Sequence, residues 1–331
     1  MNSGNRAFEG PLLDLRGFAR RGPGERSIIL TPKQIAQLAR TVRRVPEVMV
    51  KVSGGASSVA GAVAHLRYVD RQGELEIETD EGRPVQGQGS ERLLATDWDL
   101  EMLATENAKP YRGKAGRQAS KLVHNVVFSM PQGTPPDKLL EAVRRFAREQ
   151  FALQHRYAFV LHTDQKHPHV HLIVKVQSER GQRLNIRKAT LREWRSRFAE
   201  QLRAQGVAAN ATERAVRGQT RGAFKDPIYR AIQRGASRHL QARLLRIADQ
   251  LRQGLTPPSG QAELARTREA VVSGWQSTVD ALVAAGQGAL AAQVQEFVRH
   301  MPPALSTDAQ LALQLRQATR SRARAQEPRT R

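Results

Sequence analysis

The chain has 331 residues and no cysteine, and its 53 Lys and Arg against 31 Asp and Glu give a formal net charge of +22. Without cysteine, disulfide bonds, thiol catalysis and cysteine-ligated zinc fingers are excluded. The sequence has no apolar stretch of membrane-spanning length and no apolar core near its start like that of a secretory signal peptide. We therefore expect a cytoplasmic protein without membrane insertion, whose positive charge predicts nucleic acid as the partner.

Residues 1–47 are interpreted as a basic N-terminal extension. Within it, Thr31 as N-cap and Pro32 at the first helical position predict an amphipathic helix. The first strand is expected at 48–52. A second helix should follow, capped by Ser57 or Ser58, with a stripe of apolar residues. That stripe is formed by Val59, Val63 and Leu66.

Residues 74–106 are acidic, with ten Asp and Glu against only Arg83 and Arg92. The start of this segment, 74–79, alternates like a strand. The acidic segment 74–106 is interpreted as a solvated surface flap. A metal role for its carboxylates has no spacing to support it.

A further strand is expected at 122–129, followed by a helix that Thr134 caps. Tyr157 to Thr163 and the apolar run that ends at Val176 read as two more strands. The order strand, helix, strand, helix, strand, strand predicts an α+β fold in which helices flank an antiparallel central sheet.

Three histidines converge in this predicted hairpin. His169 and His171 alternate onto one face of their strand, and a hairpin through Gln165 and Lys166 brings His162 opposite or diagonal to them. Three imidazoles with an open side are typical of a catalytic site for a divalent metal ion. Asp164, in the connecting turn, is a candidate to orient one of these ligands or to accept a proton.

A metal site on a basic protein suggests phosphoryl chemistry and raises the question of a nucleophile. Of the four tyrosines, Tyr157 lies on the strand face opposite to His162 and should pack in the core. Tyr68 lies on the flank of its helix beside Arg67 and Arg71, where a phosphate would be held. From spacing alone, Tyr68 is one candidate nucleophile among alternatives.

The remainder of the chain is expected to be helical and basic. We divide it into 181–235, a basic helical extension of the core, and 236–315, a helical region that offers an interface to an accessory protein. Arg187 and Lys188 are candidate DNA contacts. Residues 316–331 have six arginines against one acid and predict a disordered basic tail.

Three motifs within 48–180 resemble conjugative relaxases, which are plasmid mobilisation nucleases of the HUH endonuclease superfamily. Residues 64–69 with Gly73 are similar to the motif that bears the single catalytic tyrosine. Residues 126–134 are similar to the second motif, whose serine, here Ser129, contacts DNA near the scissile phosphate. Residues 162–171 are similar to the histidine triad.

The resemblance implies an HUH-type relaxase core at 48–180 and a metal-dependent nuclease that nicks one strand at an origin of transfer. Tyr68 would form a 5′-phosphotyrosine link that can later be rejoined. His162, His169 and His171 would hold Mg²⁺ or Mn²⁺, or another divalent ion. Single-stranded origin DNA, a relaxosome accessory protein and a type IV coupling protein are the implied partners, and the protein would enter a recipient cell with the DNA.

Two alternatives remain open from the sequence. A rolling-circle replication initiator or HUH transposase would use the same tyrosine and metal ion. A non-catalytic DNA-binding protein would use the metal only as a structural element, and it predicts no covalent adduct. The arginine-rich end is either a secretion signal or a solubilising, DNA-binding tail.

Overall fold

The computed structural model describes residues 30–108, 120–220, 235, 237–254 and 260–326. The chain divides into two compact units. One comprises Arg43–Ala211, and the other combines the described parts of Met1–Val42 and Thr212–Arg331.

The unit Arg43–Ala211 is built on a six-stranded antiparallel sheet with the order β1-β4-β6-β5-β2-β3. Antiparallel pairing suits this part of the chain because the two central strands, β5 and β6, are joined by a short hairpin. The strands are β1 (Met49–Ala56), β2 (Ile77–Thr79), β3 (Pro84–Val85), β4 (Val123–Ser129), β5 (Tyr157–His162) and β6 (His169–Lys175).

Two helices cover one face of the sheet, α5 (Pro136–Phe151) and α6 (Lys188–Ala204). Their apolar sides pack on alternate residues of the central strands, and Phe128 lies between Phe146 and Phe198 with ring centroids at 4.9 and 5.1 Å. The predicted core role of Tyr157 is confirmed by its burial in this cluster.

The start of α5 differs from the sequence prediction that Thr134 caps it. Pro135 occupies the N-cap position, and the Thr134 hydroxyl donates to the carbonyl of Pro131 at 2.9 Å instead. Pro136 occupies the first helical position, which proline favours because its fixed φ suits a helix start and its missing N–H costs no helical hydrogen bond.

Three helices pack on the other face, α2 (Val59–Val69), α3 (Ser90–Asp97) and α4 (Leu100–Ala108). The predicted solvated flap at 74–106 is wrong, since it supplies β2, β3, α3 and α4 and buries Trp98 completely. Acidic residues of this segment form ion pairs with arginines. Glu78 pairs with Arg144, and Asp80 with Arg156.

The second unit is helical and has its own core around Trp275. The Trp275 ring packs on Phe297 at 5.4 Å, and its indole N–H donates to the carbonyl of Val216 at 2.9 Å. The helices are α1 (Pro32–Val42), α7 (Arg238–Arg252), α8 (Gln261–Ala284), α9 (Gly288–Arg299) and α10 (Thr307–Gln326). Among the described residues, no helix combines the length and the apolar character that crossing a bilayer requires.

These units divide the chain differently from the expected boundaries. Helix α1, within the predicted N-terminal extension, packs in the helical unit, whereas 181–211 belongs to the sheet unit because α6 covers the sheet. Residues 316–326 continue α10 where the sequence predicted disorder, since alanine, glutamine and arginine favour helix. Residues 1–29 and 327–331 lie outside the described residues.

Candidate active site

Three histidines meet on the sheet face that α2 covers in part, which we call the site face. His162 on β5 lies directly opposite His169 on β6, as the predicted hairpin required, and His171 follows two residues later. Their ring centroids are 4.6 to 5.1 Å apart. One nitrogen from each ring lies within 4.8 Å of the others, close enough to hold one ion with little adjustment.

Hydrogen bonds orient two of the rings. The Nδ1 of His169 donates to the carbonyl of His167 at 3.0 Å, which leaves Nε2 as the lone-pair nitrogen. The Nε2 of His162 donates to the carbonyl of Val69 at 2.6 Å, which leaves Nδ1. The Nδ1 of His171 is buried and has no hydrogen-bond partner among the described residues. A buried nitrogen without a partner suits a metal ligand.

The protonation of the triad also fits a cation. Burial, helped by the neighbouring histidines, lowers the pKa of His171 to about 3. Burial also lowers the pKa of His162. Both imidazoles are therefore neutral near pH 7, the form in which they bind a metal ion.

Tyr68 stands at the last turn of α2, beside the triad. Ser58 caps this helix by accepting from the N–H of Gly61 at 3.2 Å, and the buried side formed by Ala62, Leu66 and Val69 holds it on the sheet. Because Tyr68 lies off this buried side, its side chain is 57% exposed and accessible to a substrate.

A tight left-handed turn follows α2 and aims Arg71 back at the site. Arg71, Gln72 and Gly73 have φ values of +56°, +64° and +90°. Gly73 is required here, because a Cβ would lie 2.6 Å from the backbone carbon of Gly87. Positive φ at two successive non-glycine residues is uncommon and is found mostly at functional sites.

The Arg71 guanidinium connects the two parts of the site. It lies 5.4 Å from the centre of the Tyr68 ring and donates to Asp164 at 2.7 Å. The same nitrogen lies 3.2 Å from Nδ1 of His162. The hydrogen bond from Arg71 lowers the pKa of Asp164, so this carboxylate is ionised at neutral pH and is a weak proton acceptor.

Comparison with known families gives a match over the same part of the chain. Residues 68–207 match the family model described as "Relaxase: MobA/VirD2-like, nuclease domain". This segment begins at Tyr68 and contains the histidine triad. Residues 68–207 are thus similar to the nuclease domain of the relaxase family. The predicted relationship to conjugative relaxases is thereby confirmed for this part of the chain.

The chain is also similar to three curated T-DNA border endonucleases named VirD2. Identity is 24% over 209 residues with the protein of Agrobacterium fabrum, covering 59% of this chain and 46% of the relative. The protein of Rhizobium radiobacter is 27% identical over 187 residues, which cover 52% of this chain and 43% of the relative. The protein of Rhizobium rhizogenes is 25% identical over 217 residues, which cover 61% of this chain and 48% of the relative. The chain thus spans less than half the length of these relatives.

A solved structure described as "Molecular Basis of Vancomycin Resistance Transfer in Staphylococcus aureus" matches 51% of this chain and 99% of its own. Identity is 14% and the TM-score is 0.32, a likeness too weak to carry an argument.

Not every residue predicted for DNA contact lies at the candidate site. The Arg67 side chain donates to the buried Glu91 at 2.9 Å and is therefore engaged on the α3 side of α2. Arg187 and Lys188 are exposed at the start of α6, which packs on the opposite face of the sheet.

Ser129 lies within the candidate site, since it is on β4 directly opposite His169. Its side chain is buried, and its hydroxyl donates to the carbonyl of Pro168 at 3.3 Å. Together with the N–H of Met130, which donates to the same carbonyl at 3.3 Å, it anchors the loop that leads to His169. Its contact with DNA stays a prediction.

His65 also lies at the candidate site, and the sequence analysis did not single it out. Its ring centroid is 6.4 Å from those of both Tyr68 and His171. Burial lowers its pKa, and its Nε2 is buried with no hydrogen-bond partner among the described residues. His65 and Tyr68 are three residues apart on a predicted helix, and this spacing predicts that they lie on the same side of the helix.

Proposed function

We propose that this protein is a metal-dependent DNA relaxase that nicks one strand at an origin of transfer and later rejoins it. The observation that carries the proposal is the cluster of an exposed Tyr68, the cation of Arg71 and three histidines with mutually close nitrogens. A nucleophile, a phosphate-binding cation and a ligand set for a divalent ion are the parts that phosphodiester transfer requires.

In the proposed step, the phenol oxygen of Tyr68 attacks the scissile phosphorus. The bond from phosphorus to the 3′ oxygen breaks, the phenol loses its proton, and the 3′ oxygen takes one up. The products are a 5′-phosphotyrosine link and a free 3′-hydroxyl. Because the number of phosphodiester bonds is conserved, the reverse attack by a 3′-hydroxyl reseals the strand.

Arg71 would stabilise negative charge on the phenol oxygen and on the phosphate. Its position over the Tyr68 ring suits both roles. Asp164 would act through Arg71, because its carboxylate accepts from that guanidinium. We therefore propose Asp164 as a positioning residue rather than as the acceptor of the tyrosine proton.

His162, His169 and His171 would hold the divalent ion. When bound, Mg²⁺ or Mn²⁺ supplies polarisation of a non-bridging phosphate oxygen. An all-imidazole ligand set is softer than Mg²⁺ prefers, so Mn²⁺ or another divalent transition metal ion should bind more tightly in vitro. Nδ1 of His162 is available to the ion only when Arg71 donates to Asp164 alone.

The biological role would be to start conjugative transfer or mobilisation of a plasmid or integrative element. The name of the VirD2 relatives, T-DNA border endonucleases, supports DNA transfer over rolling-circle replication or transposition. In this role the protein would act in the cytoplasm and move with the DNA. The helical unit would bind a relaxosome accessory protein, and the arginine-rich end a type IV coupling protein.

The test is to incubate the protein and Mn²⁺ with single-stranded oligonucleotides tiled across the DNA that flanks its gene. We expect a protein–DNA adduct that resists denaturation, from one tile, with wild type but not with Tyr68→Phe. His169→Ala should lose at least about 10²-fold in adduct yield while keeping most of its non-specific DNA affinity, which comes from dispersed cations.

An adduct that survives in Tyr68→Phe would move the nucleophile to another residue. Tight DNA binding without an adduct from any tile would favour the non-catalytic metal-containing protein instead.

A further inference from the structure

Cross-strand neighbours connect the histidine triad to the edge of the sheet. In one row, His169 on β6 lies opposite Ser129 on β4, which lies opposite Met49 on β1. In the next row, His171 lies opposite Val127, which lies opposite Lys51. Directly opposed residues of an antiparallel sheet project on the same side. Met49 and Lys51 therefore belong to the site face.

The alternation along β1 supports this orientation. Val50 is buried in the core on the opposite face, and Val52 packs against the same cluster. Lys51, between them, is exposed and makes no ion pair with any residue that the structure describes. Met49 is 38% exposed, so its side chain is accessible to a bound strand.

The two ends of the sheet differ in the charge that they leave unpaired among the described residues. Beyond β5, the sheet continues into β2 and β3, where Glu78 pairs with Arg144 and Asp80 with Arg156. Beyond β4 it ends at β1, where Lys51 is exposed. Within the described part of the chain, the β1 side of the triad therefore presents an unpaired cation to a bound polyanion.

From these observations, and resting on the proposed function, we propose that the DNA strand continues from the triad across β4 onto β1. There Lys51 binds a backbone phosphate and Met49 packs against a neighbouring base. The Cα atoms of Lys51 and His171 are separated by two strand spacings, about 10 Å. The contact is thus made with a phosphate other than the scissile one. Cations along a groove with apolar contacts to the bases are the usual means of holding a single strand.

The experiment measures the affinity of the full chain for a fluorescent oligo-dT between 0.1 and 1 M salt, without metal. One lost phosphate contact lowers the slope of log K against log[salt] by about 0.7 on single strands. Lys51→Gln should therefore bind about fivefold more weakly than wild type at 0.1 M salt and equally at 1 M. Lys51→Arg should retain the wild-type slope.

Lys138→Gln is the matched control, because Lys138 lies on α5, which covers the opposite face. It should keep the wild-type slope. Thermal unfolding of each variant checks the fold, and Lys51→Gln is expected to melt as wild type does, since Lys51 is exposed. An unchanged slope in a folded Lys51→Gln, or an equal loss in Lys138→Gln, would overturn the proposal.

This result is separable from the nicking test. Oligo-dT binding needs neither Tyr68 nor metal, so binding that depends on Lys51 without any adduct leaves the path intact and refutes nicking. An adduct formed equally well with Lys51→Gln, together with an unchanged slope, refutes the path alone.

Discussion

Arg71 is the one side chain of the described residues that contacts the Tyr68 ring, Asp164 and His162 together. It has two effects that oppose each other. Its positive charge suits a phosphate and a developing phenolate, but its hydrogen bond occupies the His162 nitrogen that a metal ion needs. Metal affinity and covalent chemistry should therefore respond in opposite directions to its removal.

We expect Arg71→Ala to bind Mn²⁺ at least as tightly as wild type, because Nδ1 of His162 is freed and a nearby positive charge is lost. Adduct formation should fall about 10²-fold, as for the loss of one charged donor to a transition state. Isothermal titration calorimetry and a single-turnover adduct assay measure the two quantities. A parallel loss of both would show that Arg71 only maintains the fold of the site.

The pH dependence of stability follows from the buried histidines. His171 has a folded-state pKa of about 3, well below the ordinary value of 6.5. Between these values the unfolded chain binds a proton that the folded chain does not, so stability is lost as pH falls below about 6.5.

For the metal-free protein, we expect the free energy of unfolding to fall by up to about 1.4 kcal/mol per pH unit for His171 between pH 6 and 4. Urea unfolding at several pH values measures this slope. His171→Phe should have a shallower slope than wild type. Equal slopes for the two proteins would mean that the ring titrates normally when folded.

At the scale of elements, the turn after α2 depends on close contact between two glycines. A Cβ at Gly73 would meet three backbone atoms of Gly87 and Gln88 at 2.6 to 2.9 Å, and backbone cannot rotate away. Gly82 also has a positive φ, of +73°, but a Cβ there would meet nothing within 4 Å. Substitutions at Gly73 and Gly82 therefore distinguish the cost of steric overlap from the cost of a left-handed backbone.

Gly73→Ala should lower the free energy of unfolding by about 3 kcal/mol, through overlap and left-handed strain together. Gly82→Ala should cost about 1 kcal/mol, from strain alone. Urea unfolding measures both. Gly73→Ala should also lose adduct yield, because the turn that aims Arg71 must shift. Similar costs for the two variants would contradict the steric account.

The sequence allowed some elements to be predicted but not others. Alternation and turn residues identified the β5–β6 hairpin, so the convergence of His162, His169 and His171 was predictable. Helices α3 and α4 were not predictable, because the ten acids of this segment indicated a solvated surface. The segment nevertheless has an apolar side, whose buried residues include Leu94, Trp98 and Leu103. Those acids are compatible with packing because several meet arginines distant in sequence, such as Arg144 and Arg156.

The path from the triad to Lys51 was also beyond prediction. It depends on which strand pairs with which, and a sequence pattern gives the period of each strand but not its neighbours. The strand order β1-β4-β6 arises from long-range pairing between residues 49–56, 123–129 and 169–175. Likewise, the contact of Arg71 with Asp164 joins residues 93 apart in the chain.

At the scale of the whole molecule, the chain contains a sheet unit that carries the candidate site and a helical unit with its own core. The basic charge is spread over both units, since the exposed Arg187 and Lys188 lie in one and the exposed Arg238 and Arg252 in the other. Non-specific DNA affinity should therefore survive changes at the site, which is why adduct assays discriminate better than binding assays.

The separation of Tyr68 from the histidines along the chain has a consequence during synthesis. A ribosome finishes the tyrosine about a hundred residues before it finishes His171, so the growing protein possesses the attacking group long before it possesses any complete ligand set. On the proposed chemistry, a prematurely terminated product that lacks residues 162–171 would carry the nucleophile without the metal ligands and would form no adduct.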